Sequence, residues 1–225
     1  MRLVHFVAIT PLKPLYLNTP AGISNLLLKS RVREYSKTMP IAFKEWALVC
    51  EALGSGEQSL LLRKGGIAEG KGGFGFDHDE FYLFPTWFHG QVEKIRKADI
   101  ALPEQAPDQV TVSYAAHLEW SGRIVDKETA HCLSELHVLD ASVIEERFVY
   151  DTGSGSLGGN GINVAFVRVY RLEPATTLPM QASFGGCRSW VELPEGDFGT
   201  MVSVLSDEEH GRRKEVFARV LGLTF

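Results

Sequence analysis

Two cations followed by two glycines, Arg63-Lys64-Gly65-Gly66, are the residues of this chain best suited to holding an anion. Glycines let backbone N–H groups approach a phosphate, and a guanidinium can meet its oxygens with two parallel hydrogen bonds. His78 and His89 flank the apolar run Phe81-Tyr82-Leu83-Phe84, and Thr86 follows it. Imidazoles near neutral pH can hydrogen-bond a ligand or move a proton. With His137 and Arg168, these residues make up the expected ligand-binding set. A bland reading stands beside each of them: a solvated hairpin end has the same Arg-Lys-Gly-Gly look, and histidines more often cap or pack than bind.

Other chemistries find less support. The glycines do not follow the GxxxxGK[ST] spacing of a P-loop, nor the glycine box of a nucleotide pyrophosphatase, which needs paired glutamates on a helix downstream. No HxH, HxxxH or HExxH pattern occurs, so no metal site and no cofactor are expected. Lys44, Glu45 and Glu51 bracket an apolar run as a magnesium nuclease would require, but the strand carrying Arg63 and Lys64 lacks the acid two residues earlier. A metal-dependent hydrolase or nuclease using the same loop is therefore the alternative reading, and a structural or protein-pairing module is a third. Trp46, Tyr82, Trp87, Trp120 and Trp190 could stack bases beside Arg63, Lys64, Arg168 and Arg171, although aromatics more often fill cores. Cys187, between Gly186 and Arg188, has no identified base and reads as a small hydrophobe.

These residues need elements to position them. The sequence predicts a hairpin of strands 46–53 and 59–63 around Gly54-Ser55-Gly56, the start of the first strand being open to helix. Phe81-Tyr82-Leu83-Phe84 reads as a strand ended by Pro85, with Thr86 capping a helix over 87–98. Residues 102–109, with two prolines, read as a loop. A strand over 110–120 turns at Ser121-Gly122 and resumes over 123–125; Asp126 then caps a helix over 127–136, and a short helix covers 142–147. Residues 151–161 read as a glycine-rich hairpin loop, and 162–172 as a strand apolar on both faces, hence deep in a sheet. A tight turn through Gly185 and Gly186 leads to the last strand, 190–193. Ser206 caps an amphipathic helix with Asp207, Glu208 and Glu209 in its first turn, docked through Val216, Phe217, Val220 and Leu221.

Composition bounds the class. The 225 residues are 44% hydrophobic and 23% charged, which suits one globular core. A net charge of −5 argues against non-specific nucleic-acid binding by the whole chain, while leaving room for a local basic patch. Three scattered cysteines form no CxxC pair and fit a reducing, cytoplasmic setting; no apolar run is long enough to span a bilayer. Residues 1–38 carry six lysines and arginines against Glu34 alone. They read as a flexible basic extension, or as sequence upstream of a start at Met39, with an organelle transit peptide as the sharper alternative. Residues 39–200 then form the core domain and 201–225 the docked C-terminal helix.

Seven spaced motifs occur in one order: FKEWALVCEAL, LLLRKGGI, HDEFYLFPTWFH, LSELHVL, IEERFVY, VRVYRL and GCRSWVEL. Together, over about residues 43–193, they resemble the bacterial family called domain of unknown function 1802, which implies no activity. Where that family reads histidine followed by glutamine, this chain has His89-Gly90-Gln91. The expectation is an α+β domain whose mixed, mainly antiparallel sheet curls towards a partial barrel under two to four helices. Its expected function is binding of a phosphate-bearing small molecule or nucleic acid, with no membrane partner.

Overall fold

The computed structural model describes residues 40–64, 74–96, 101–104, 106, 108–149 and 161–224. Gly65 and Gly66 lie outside them, as does nearly all of the 151–161 loop and the whole 1–38 segment. Seven strands make one sheet: β1 (Ile41–Trp46), β2 (Leu60–Lys64), β3 (Glu80–Thr86), β4 (Gln109–Ile124), β5 (Ile162–Pro179), β6 (Trp190–Glu192) and β7 (Thr200–Ser203). Their order is β2-β5-β4-β3-β1-β6, and β7 also pairs with β5. Only β1 and β3 run parallel; the other pairings are antiparallel. Four α-helices accompany the sheet: α1 (Ala47–Gly54), α2 (Lys127–Cys132), α3 (Ala141–Val149) and α4 (Asp207–Leu221). The expected α+β class and mainly antiparallel sheet hold, but the sheet does not close into a barrel.

Apolar residues fill both faces of the sheet. One core gathers Phe43, Leu61, Phe81, Phe166 and Phe217 with the helices; the other joins Ala42, Tyr82, Phe84, Leu172, Phe184 and Phe198. Each fully buried large side chain contributes about 1.5–3 kcal/mol. The strand β5 lies between β2 and β4 and is buried from Val164 to Val167, as its two apolar faces suggest. Helix α4 begins where expected, with the Ser206 hydroxyl accepting the Glu209 N–H at 3.2 Å. Phe217 stacks on Phe166 with ring centroids 5.0 Å apart.

Several local expectations are corrected. No hairpin forms: β1 ends at Trp46, α1 starts at once, and β2 pairs with β5. Seven of the eight residues of α1 are buried, so the helix has no polar stripe to set its periodicity apart from a strand's. Pro85 sits inside β3 opposite Glu45, beyond the last β4 pairing at Tyr82, where its missing N–H breaks no bond to β4. Thr86 belongs to β3 and caps no helix; a 3-10 turn over His89–Lys94 follows. The strand β4 runs unbroken through Ser121-Gly122. A Cβ on Gly122 would lie 2.6 Å from the Trp120 ring, so glycine there makes room for an indole that packs on Phe217. β7, not β6, is the last strand.

Candidate functional site

Although β2 and β6 end opposite sides of the strand order, their neighbourhoods meet. Arg63 on β2 donates through Nη2 to the Ser189 hydroxyl at 3.1 Å, reaches the Lys44 carbonyl at 3.5 Å, and lies 5.4 Å from the Phe43 ring centre. Arg147 on α3 donates to the Leu62 carbonyl of β2 and lies 4.7 Å over the Trp46 ring of β1. β6 pairs with β1 only over Ile41–Phe43, and the ladder continues with one further bond, from the Lys44 N–H to the Ser189 carbonyl. The sheet thus curls until its two ends face each other, and arginine side chains bridge the seam where backbone pairing would have closed a barrel.

The same sequence logic positions the rest of the seam. Alternation along β1 sends Phe43 into one core and turns Lys44 the other way, where Nζ donates to the Gly185 and Gly186 carbonyls at 3.3 and 3.1 Å. Burial lowers the Lys44 pKa; the Cys187 sulfur opposes that, and Arg63 and Arg188 add to it. Burial likewise lowers Arg147, with Glu45 opposing and Arg63 adding to the effect. Glu45 is fully buried and accepts the Trp46 N–H at 2.8 Å. Among the described residues, Lys44, Arg63 and Arg147 have no carboxylate within ion-pair reach. Elsewhere cations do: Lys94–Glu146, Lys127–Glu145, Arg168–Asp207, Arg171–Glu173 and Lys214–Glu119 are pairs.

Arg63 lies at this seam, whereas His78, just ahead of β3, and Thr86, the last residue of β3, are eight positions apart at opposite ends of that strand and do not meet. The His78 ring meets Trp190 edge-on at 4.7 Å, next to the Ser189 that holds Arg63. Thr86 donates to the Glu45 carbonyl at 2.9 Å. Lys64 is exposed at the end of β2. His89 opens the 3-10 turn, and its side chain lies outside the described residues. His137 and Arg168 do not join the seam. His137 is 4% exposed, its Nδ1 accepts the Leu139 N–H, and burial followed by Arg96 and Arg147 pushes its pKa down to about 3. Arg168 bonds Ser203 and Asp207, five residues along β5 from the partner of Arg63, or about 17 Å. Among the described residues no three His, Cys, Asp or Glu side chains gather as metal donors, so the hydrolase alternative gains no ligand set there.

Sequence reasoning missed Arg147, Ser189 and Gln91 as site-forming residues. The only signal for the first two was their place in the IEERFVY and GCRSWVEL motifs. Gln91 is fully buried; its Oε1 accepts the Leu48 N–H at 3.1 Å, and its Nε2 donates to the Phe88 carbonyl at 3.1 Å. It supplies the helix cap that Trp46, the residue at the cap position, does not. Gln91→Ala is expected to cost about 1–3 kcal/mol in a urea titration, because a buried N–H loses its acceptor. A loss under about 0.5 kcal/mol would show that α1 does not need this cap.

Comparison with known proteins gives a limited picture. A family model described as Domain of unknown function (DUF1802) matches residues 42–216. No curated protein matches the chain. Among solved structures, the chain is similar to an ASCH protein from Zymomonas mobilis at 13% identity, with 79% of this chain and 94% of that chain covered and a TM-score of 0.39. Two mutants of that protein give 12% and 14% identity, TM-scores of 0.40 and 0.38, the same 79% of this chain, and 94% and 97% of theirs. Likeness at this level carries nothing to the function of this chain.

Proposed function

Since the chain belongs to the DUF1802 family, whose name states no activity, we propose a function from the seam itself: binding of a phosphate-bearing ligand, and most specifically of a nucleic-acid strand, without chemistry of its own. One observation carries this reading. Lys44, Arg63 and Arg147 crowd the seam, bonded to carbonyl and hydroxyl oxygens and set against aromatic rings, with the buried Glu45 partly offsetting Arg147 alone. Charges held this way leave a positive potential that an anion neutralises, more strongly in a partly buried setting than in water. Arg188 and Lys64 are exposed at its margin, where phosphates would first meet the protein. The acidic net charge of the whole chain makes the attraction local.

Filter binding of a short single-stranded RNA and its DNA counterpart between 50 and 200 mM salt tests the reading. Affinity is expected to fall with salt, by a log–log slope of about −0.7 for each phosphate neutralised. Arg188→Ala should weaken binding several-fold and flatten that slope by about one phosphate's share. The oligonucleotides should stay intact with and without EDTA. Absent binding, or binding indifferent to salt, would sink the proposal, and EDTA-sensitive cleavage would replace it with the hydrolase reading.

A further inference from the structure

Lys44 Nζ takes two successive main-chain carbonyls, those of Gly185 and Gly186, at 3.3 and 3.1 Å. An extended chain points successive carbonyls to opposite sides. Here φ is +79° at Gly186, in the left-handed region that glycine enters at little cost, and both carbonyls turn to one side. Both peptide bonds are trans, and in a planar trans peptide the N–H points away from the C=O. The N–H groups of Gly186 and Cys187 therefore both point away from Lys44. Lys44 is 8% exposed beneath the loop, whereas Gly185, Gly186, Cys187 and Arg188 are exposed, so away from Lys44 is towards solvent. Among the described residues neither N–H has an acceptor. A Cβ at Gly186 would meet nothing within 4 Å, so nothing crowds the loop there.

We infer that the loop from Gly185 to Arg188 is a main-chain anion cradle, in which the N–H groups of Gly186 and Cys187 hold oxygens of one phosphate group. The inference rests on the phosphate-binding reading of the seam and names the part of it that grips the phosphate. Successive N–H groups turned to one side around a left-handed residue form a concavity that binds anions. The charge behind them has the matching sign: Lys44 sits under their carbonyls, and Arg63 and Arg188 are near enough for their charges to act on it. Arg188 forms no ion pair among the described residues and offers a guanidinium to a further phosphate oxygen. Main-chain donors read phosphoryl oxygens and nothing of the group that carries them. The ligand class is therefore an accessible phosphate, free or as one linkage of a nucleic-acid strand.

Amide NMR on the nitrogen-15-labelled full chain reads the cradle directly. Inorganic phosphate and, separately, a five-nucleotide single-stranded RNA without a terminal phosphate are titrated against sodium chloride at matched ionic strength. The Gly186 and Cys187 amide protons are expected to move downfield and saturate, while sodium chloride leaves them in place. Movement with inorganic phosphate alone supports the cradle and assigns it to small phosphates; movement with the RNA supports it and assigns it to the strand. Gly186→Val, which resists the left-handed conformation, is expected to lose roughly tenfold in affinity for the responding probe, the share of one charge-assisted hydrogen bond. Gly186→Asn, which tolerates that conformation, should stay within about threefold of wild type. Thermal melting shows whether both variants fold; if Gly186→Val does not, the wild-type shifts decide. RNA binding in which neither amide moves, or an equal loss in the two variants, overturns the cradle while leaving phosphate binding by the seam intact. Failure of the wild-type protein to bind either probe overturns both.

Discussion

Phe43→Ala is expected to lower the stability of the protein by about 3–5 kcal/mol, the usual loss when a fully buried phenylalanine is truncated. Phe43 is wholly buried and touches Phe74, Phe76, Phe81 and Trp190, with ring centroids between 4.9 and 6.0 Å. Several rings would therefore lose a partner at once, and rigid neighbours collapse poorly into the space. The damage should also reach the seam, because the Arg63 guanidinium lies against the same ring and Trp190 carries His78. Urea unfolding gives the stability, and oligonucleotide binding at a temperature where the variant is still folded gives the effect on the site. Phe43→Leu should fall between the two. A stability loss below about 1 kcal/mol would mean that the fold does not depend on this aromatic cluster.

Acid should destabilise the protein over a window set by His137. Its folded pKa of about 3 lies well below the ordinary histidine value near 6.5, so the unfolded chain binds a proton that the folded chain refuses. Stability from this residue is complete above pH 6.5 and drains away as pH falls towards 3. Between pH 7 and pH 4 the expected loss is about 3 kcal/mol. Glu119 adds a second, more acidic window. Hydrogen bonds from His210 and Lys214 pull its carboxyl down to about 2, so its contribution is present above pH 4.5 and lost as pH falls towards 2. Urea titrations at half-unit pH steps measure both. His137→Gln removes the first titration and should flatten the curve between pH 6.5 and 4.5; an unchanged slope in that variant would assign the acid sensitivity to other groups.

How much of this was readable in the residues depended on whether the signal was local. Asp126 and Ser206 cap their helices because a side-chain oxygen three residues before a free N–H is a local geometry, and each is bonded as expected. The strand β5 was readable because burial between two strands makes both faces apolar. Helix α1 was not: a helix enclosed on every side shows neither a period of two nor one of 3.6. Gly122 looked like a turn residue, yet its role is steric, set by an indole two positions back. Arg63 lies at the seam and His78 packs on Trp190 next to it, whereas Arg168 is drawn off by Asp207 and His137 by the core. The seam itself could not be read in advance. It joins Arg63 to Ser189 across 126 positions and Leu62 to Arg147 across 85, contacts that exist only once the sheet has curled.

A cylinder left unzipped along one line and held by two guanidinium groups is softest along that line. Among the described residues, the hydrogen bonds that span it are few and involve side chains, so the two lips can part without disturbing the ladders on either flank. Any anion that engaged both lips would serve as a clasp. Occupancy and stiffness would rise together, and hydrogen-exchange protection gained on ligand addition would concentrate in β2, β1 and the loop before β6.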